Sequence, residues 1–157
     1  MSPTTPPHAR LDPAASHRAI ENLIARYAEL VDGGDFAGAG ALLAGATFTG
    51  SGSPVSGADA VEEMFRRTLI VYDDGTPRTK HVITNVIIEL DGATAAARSY
   101  VTVYQALPEL PLQPIAVGRY HDRFACDEER WRFAERRVHI DLVGDVSHHL
   151  RAARKSR

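Results

Sequence analysis

Apolar residues recur at helical spacing near the start of the chain. They form one face of a predicted first helix, made of Ile20, Leu23, Ile24, Tyr27, Leu30 and Val31. Ser16 is suited to cap this helix, and Gly33 with Gly34 to end it. A short second helix, capped by Asp35, is predicted from Phe36 to about Leu43, and a third from about Ala58 to Ile70.

The pattern then changes to the alternation that is typical of strands. A short strand is predicted over 46–49, and four long ones over about 80–90, 94–107, 115–126 and 129–142. Asp91-Gly92 indicates a hairpin, and Pro108, Pro111 and Pro114 a longer loop. Helices followed by a meander of strands predict an α+β fold, a cone-shaped curled antiparallel sheet with three N-terminal helices on its concave side. The mouth of such a cone is a natural small-molecule pocket.

The length of 157 residues favours one domain with a real core. Four prolines in the first thirteen residues predict a disordered arm over 1–15. The domain is then expected over 16–145. Residues 146–157 form a basic tail that is most simply solvated.

Composition narrows the classes of partner. The net charge of −2 gives no basic field, so we expect neither a nucleic-acid nor a membrane partner. Cys126 is the only cysteine, which excludes an intrachain disulfide and a thiolate metal site and fits a reducing compartment. The N-terminus lacks the apolar segment of a secretory signal, and we expect a cytoplasmic protein. Without paired histidines at helical spacing or a phosphate-binding loop, we expect no metal and no cofactor.

Asp32 and His81 are the candidate catalytic residues. Asp32 ends the first helix, where a carboxylate faces the negative end of the helix dipole and a nearby cation would relieve it. His81 begins a strand of otherwise apolar residues. Taken singly, a solvated turn acid and a satisfied core or rim histidine are the simpler interpretations. If the two side chains met, the carboxylate would orient the imidazole and raise its basicity.

Three segments carry a resemblance to a known family. They are 27–36 at the end of the first helix, 78–81 at the start of the long strand, and 118–124 followed by 131–134 in the last hairpin. With the order of elements, they resemble the SnoaL-like branch of the nuclear-transport-factor-2-like superfamily, over about 16–145. Its scytalone dehydratases, bile-acid dehydratases, dehydrochlorinases and ketosteroid isomerases share this fold.

The resemblance implies roles for particular residues. Asp32 and His81 match an Asp–His dyad in which the histidine is the general base, and we therefore expect the two to meet at the bottom of a closed pocket. Tyr27 matches a tyrosine that donates to a substrate oxygen, although a core aromatic is an equal alternative. The base carboxylate of ketosteroid isomerases has no counterpart in 49–52, and the second histidine of scytalone dehydratases has none in 115–117. A homodimer is expected from the family.

Asp122 has two interpretations. It alternates in phase with Gly118, Tyr120 and Phe124, so it shares their face. On a pocket face it would be a protonated, substrate-binding carboxyl that resembles the oxyanion-hole acid of ketosteroid isomerases. The alternative, which we favour, is an ion pair with Arg136 or Arg137 on the adjacent strand. The other substrate-binding candidates are Tyr104, Tyr120 and Asn85, with Tyr104, Tyr120 or His139 as proton donor.

The predicted function is cofactor-independent acid–base catalysis on a small apolar molecule such as a polyketide, terpenoid or steroid-like compound. The reaction would be dehydration, isomerisation or cyclisation. Two alternatives share the fold: a non-catalytic binding or assembly protein, and a protein like the small subunit of a ring-hydroxylating dioxygenase.

Overall fold

The computed structural model describes residues 11–154. Its helices are α1 (Pro13–Asp32), α2 (Phe36–Leu42), α3 (Ala58–Thr68) and α4 (Arg151–Arg154). Its strands are β1 (Thr47–Thr49), β2 (Val55–Ser56), β3 (Thr79–Asp91), β4 (Thr94–Leu107), β5 (Leu110–Asp127) and β6 (Arg130–Val143). The predicted α+β class is confirmed. Within 11–154, no helix combines the length and apolar character needed to cross a bilayer.

Helix α1 begins earlier than the sequence suggested. Asp12, not Ser16, is its N-cap, and the Asp12 carboxylate accepts from the backbone N–H of Ala15 at 3.1 Å. Pro13 fits the first helical position because its missing N–H has no partner there in any helix. Ser16 is instead buried within the helix. Residues 13–15 of the predicted arm are therefore helical, while 1–10 lie outside the described residues.

The six strands form one curled, unclosed sheet in the order β2-β1-β6-β5-β4-β3. The four long strands are antiparallel neighbours, as predicted, but β1 runs parallel to β6, so the sheet is mixed. The long loop predicted from the three prolines is wrong. Strand β4 ends at Leu107 and β5 begins at Leu110, and Pro111 and Pro114 are accommodated on an exposed stretch of β5.

Alternation along the strands separates two faces. The inner face, which packs against the helices, carries the buried residues Ala95, Ala97, Ser99, Val101, Val103 and Gln105 of β4 and Tyr120, Asp122 and Phe124 of β5. The outer face is largely exposed and carries Tyr100 on β4 and Leu142 on β6. The Asp–His candidates lie at the inner-face end where β3 begins and β4 ends, because Thr79 pairs with Gln105 and His81 with Val103.

The C-terminal segment 146–150 is not a solvated tail. Leu150 forms an isolated bridge with Leu69, and the backbone N–H of Ile70 donates to the carbonyl oxygen of His149 at 2.9 Å. The hydroxyl of Tyr72 donates to the carbonyl oxygen of His148. These contacts fix the segment beside the loop that follows α3, and His149 is only 9% exposed.

Candidate functional site

The structure brings Asp32 and His81 into direct contact. Oδ1 of Asp32 lies 2.6 Å from Nδ1 of the His81 ring, and Oδ2 accepts from the backbone N–H of His81 at 2.8 Å. Oδ1 also accepts from the hydroxyl of Thr79 at 2.8 Å. Three donors therefore fix a carboxylate whose side chain is 7% exposed, while the His81 side chain is 9% exposed.

The turns on either side of this contact determine its geometry. Helix α1 ends at Asp32, and Gly34 then takes a left-handed φ of +74°. A Cβ atom on Gly34 would lie 2.0 Å from the carbonyl oxygen of Gly75, in the turn before β3. The turn after α1 thus rests on the turn before β3, with no space for a side chain. This backbone contact holds the end of α1, which carries Asp32, beside the turn that leads into β3 and His81.

Hydrogen bonding determines the charge of Asp32. Burial alone would raise its pKa, but hydrogen bonds from the His81 ring and backbone and from Thr79 outweigh burial and lower that pKa below its ordinary value. Asp32 is therefore an anion at neutral pH and can only accept hydrogen bonds. In a neutral His81 ring, the proton would therefore be on Nδ1, facing this acceptor. Nε2 makes no hydrogen bond to any residue in 11–154, so its lone pair is free.

A groove of about 580 Å³ runs between α1 and the edge strand β3 and includes both residues of the pair. Its lining residues are Glu21, Ile24, Ala25, Ala28, Glu29, Asp32, Gly33, Lys80, His81, Ile83 and Val86. The expectation of a closed pocket is wrong for this groove. Exposed residues on both walls, such as Glu29 on α1 and Lys80 on β3, leave it open to solvent. Ile24, Ala25, Ala28, Ile83 and Val86 nevertheless give the walls apolar surface beside the pair.

Tyr27 belongs to a buried aromatic and ionic cluster. Its ring meets that of Tyr120 edge to face, with centroids 6.0 Å apart, and the guanidinium of Arg136 lies 4.3 Å from the Tyr27 centroid and 3.9 Å from that of Tyr120. Burial raises the pKa of Tyr27 to about 12 and that of Tyr120 well above its ordinary value. Both phenols are protonated at neutral pH.

Asp122 forms the ion pair that we favoured from the sequence. Nε and Nη2 of Arg136 each donate to one of its carboxylate oxygens at 2.8 Å, and both side chains are fully buried. Burial would lower the pKa of Arg136, but the Asp122 charge outweighs it and raises that pKa further. Both oxygens of the Asp122 carboxylate are occupied by a permanent cation. A substrate-binding role for Asp122 stays a prediction.

Two predicted substrate-binding residues lie apart from the pair. Tyr104 is paired with Lys80 across β3 and β4, one position out of phase with the inner-face residues Val103 and Gln105. Alternation therefore places it on the outer face. Asn85 is exposed in a left-handed conformation (φ 55°), at an irregularity of the β3–β4 pairing. Sequence alternation alone does not reveal this irregularity.

Sequence reasoning missed His149. We assigned it to a basic tail, yet it is buried, and its pKa is lowered to about 4 by burial first and then by the His81 charge. The signal for burial was present in Val146 and Leu150, which are half-buried, pack against the core and are spaced like one face of a helical turn.

Comparisons with known proteins agree with this architecture. The model of the SnoaL-like domain family matches residues 12–137. No protein of curated function matches the chain.

Solved structures with the same fold include a variant of Rv3472, a protein of unknown function from Mycobacterium tuberculosis, with 24% identity, 88% of this chain and 81% of that chain covered, and a TM-score of 0.69. A putative scytalone dehydratase from Novosphingobium aromaticivorans has 20% identity, 84% and 88% coverage and a TM-score of 0.66. LinA has 17% identity, 82% and 88% coverage and a TM-score of 0.66. With the family model spanning most of the domain, the chain belongs to the SnoaL-like domain family.

Proposed function

We propose that the protein is a cofactor-independent acid–base enzyme acting on a small, largely apolar molecule. The observation that carries the proposal is the 2.6 Å contact between Nδ1 of His81 and Oδ1 of Asp32, in a groove where Nε2 is left without a partner among the described residues. His81 is the base and Asp32 orients it. The fold family hosts both catalysts and binding proteins, so the argument depends on this site.

The chemistry follows from the free lone pair. Nε2 of His81 takes a proton from a carbon beside a carbonyl, and the C–H electron pair moves toward the carbonyl. When a hydroxyl stands on the next carbon, that pair forms a C=C bond, the C–O bond breaks, and the hydroxide takes the proton from Nε2 of His81 and leaves as water. When a C=C bond stands there instead, the proton returns at the far carbon of the conjugated system and the substrate is isomerised. When a second carbonyl lies within reach, the carbanion attacks its carbon, its oxygen takes the proton, and the substrate is cyclised. Tyr27, protonated at neutral pH, is our candidate donor to the substrate oxygen.

The groove supports the proposed class of substrate. Ile24, Ala28, Ile83 and Val86 provide apolar surface beside the pair. A molecule with an apolar ring system and one or two oxygen functions suits such walls, which is why polyketide, terpenoid and steroid-like compounds are proposed. The putative scytalone dehydratase among the similar structures is consistent with dehydration.

We also propose a homodimer formed through the outer face of the sheet. Tyr100 is 56% exposed and Leu142 66%, and the strand register places both on this face. Burying apolar surface of this kind stabilises association. Light scattering after size exclusion should give twice the chain mass, and Tyr100→Lys combined with Leu142→Lys should give a monomer.

The experiment that tests the enzymatic proposal is a screen of apolar ketones and β-hydroxy ketones. Products are detected by mass spectrometry as loss of water or by chromatography as an isomer. His81→Ala and Asp32→Asn should abolish most turnover while the fold is retained. His121→Ala is the matched control, because His121 is exposed on the outer face against His139. Full activity of both site variants on a compound that the wild type converts would favour the non-catalytic alternative.

A further inference from the structure

His149 presents an unpartnered buried nitrogen. Its side chain is buried, and Nδ1 has no hydrogen-bond partner among residues 11–154. Its backbone is held in place, since its carbonyl accepts from Ile70 and its own N–H donates to the carbonyl of Val146 at 3.0 Å. A buried polar atom without a partner is costly and uncommon in a folded protein. Nδ1 is therefore a candidate contact for a ligand.

Gln105 supplies a second free atom at the same end of the sheet. Its Nε2 donates to the carbonyls of Pro77 and His148, each at 3.1 Å. Two carbonyl acceptors require the amide nitrogen at this position, so the orientation of the amide is fixed by its partners. Within the described part of the chain, Oε1 is left buried without a partner. The same amide joins the C-terminal segment to β4, which makes Gln105 a neighbour of that segment.

Both free atoms belong to the neighbourhood of the catalytic pair. Gln105 is directly opposite Thr79 in the β3–β4 register, and the Thr79 hydroxyl donates to Asp32. The electrostatic environment agrees: after burial, the groups that shift the pKa of His149 are His81, which lowers it, and Asp32, which raises it. Gln105 and the segment that carries His149 thus lie at the end of the sheet where Asp32 and His81 are in contact.

We propose that His149 and Gln105 form the polar subsite of the Asp32–His81 site and bind a hydroxyl group of the substrate. The hydroxyl donates to Oε1 of Gln105, an obligate acceptor, and accepts from the imidazole of His149 in its Nδ1–H tautomer. This inference rests on the proposed function and narrows the substrate to an apolar alcohol whose hydroxyl lies near the carbon that His81 deprotonates.

The test compares α-tetralol with tetralin, which is the same hydrocarbon without the hydroxyl. Both are titrated into the full chain carrying ¹⁵N-labelled histidine, and ring signals and dissociation constants are measured by NMR. The wild type should bind the alcohol about tenfold more tightly than the hydrocarbon, as expected for one or two hydrogen bonds to buried partners. The alcohol, but not the hydrocarbon, should shift the Nδ1 signal of His149.

Substitutions separate a binding role from a structural one. His149→Leu should abolish the preference for the alcohol, whereas His149→Asn, whose amide replaces the ring near Nδ1, should restore much of it. His148→Leu is the matched control and should keep the preference, since His148 contributes its carbonyl to Gln105 and Tyr72. The proposal would be overturned if the alcohol left the Nδ1 signal of His149 unshifted in the wild type. It would also be overturned if His149→Leu bound the alcohol with the same preference as the wild type. His81→Ala should retain the preference for the alcohol over the hydrocarbon. The catalytic proposal fails separately, if turnover survives this same change.

Discussion

Gly34 touches Gly75 backbone to backbone, and this contact joins the end of α1 to the start of β3. Gly34 has a φ of +74° and a Cβ atom there would lie 2.0 Å from the Gly75 carbonyl oxygen. Gly75 has a φ of +81° but open space around its own Cβ position. Both glycines therefore need a left-handed backbone conformation, but only Gly34 lacks space for a Cβ atom. Substituting each in turn separates the cost of the conformation from the cost of the clash.

Gly34→Ala should separate Asp32 from His81. Both Gly34→Ala and Gly75→Ala incur the cost of a left-handed alanine, about 1 kcal/mol. Only Gly34→Ala adds a backbone clash, which places its total loss in the free energy of unfolding at about 3 kcal/mol or more. Urea unfolding of both variants measures this difference. Equal losses would show that the turns are not in contact.

Thr79 should matter through its hydroxyl. Thr79→Val removes the donor to Oδ1 of Asp32 and leaves the volume nearly unchanged. The expected loss is about 1 kcal/mol of stabilisation of the oriented pair, or about fivefold in kcat/KM. Thr79→Ser restores the hydroxyl and should recover most of the activity. If the valine and serine variants behave alike, the hydroxyl has no orienting role.

The Asp122–Arg136 pair should be more costly to break than to replace. Asp122→Leu leaves a fully buried guanidinium without its anion, which destabilises a protein by about 3–5 kcal/mol. The double change Asp122→Leu with Arg136→Met removes both charges and should be markedly more stable than the single variant. A double-mutant cycle by thermal or urea unfolding measures the coupling. Additive losses would contradict a coupled pair.

His149 should make the protein sensitive to mild acid. Its pKa falls from 6.5 to about 4 on folding, so between these values the unfolded chain binds more protons than the folded one. Stability therefore decreases as the pH falls, by about 2 kcal/mol from about pH 7 to about pH 5 for this group alone. The groups that face His149 are His81 and Asp32, and His148 and Asp145 lie on its own segment.

His149→Asn should remove this part of the pH dependence, while His148→Asn should retain it. The lowered pKa of Asp32 acts in a different window, since its stabilising contribution is present above its ordinary value near 4 and is lost only below that pH. Urea unfolding at a series of pH values distinguishes the two groups. A His149→Asn variant with the same slope as the wild type above about pH 5 would show that this ring is already charged in the folded state.

The contact between Asp32 and His81 was predicted from the resemblance to the family, which has an Asp and a His at these two positions. Asp32 precedes a Gly-Gly helix stop, and His81 opens a strand after a turn. Alternation on two adjacent strands predicted an ion pair for Asp122 but left Arg136 and Arg137 both open as its partner, since the sequence does not give the register. Features that depend on contacts between distant segments could not be predicted from the sequence. The parallel pairing of β1 with β6 and the burial of His149 arise from tertiary packing, which local periodicity does not encode.

Prolines and charges misled the interpretation at two places. Pro108, Pro111 and Pro114 predicted a loop, yet β5 includes the last two because that stretch of strand is exposed. The arginines after His149 suggested a solvated tail, yet Arg151 donates through Nε to the carbonyl of Leu69 at 2.9 Å and helps to fix the segment. In both cases a local signal was outweighed by a partner elsewhere in the chain.

The exchange of a carbon-bound proton for solvent deuterium tests the central claim most directly, because it isolates proton abstraction by His81 from whatever reaction follows. Wild-type protein in D₂O should label the carbon beside the carbonyl of a bound apolar ketone, measured by mass spectrometry above the uncatalysed rate. His81→Ala should lose about a hundredfold or more of that rate, as expected for removal of a general base, and His121→Ala should lose none. Equal labelling by the wild type and His81→Ala would contradict the account.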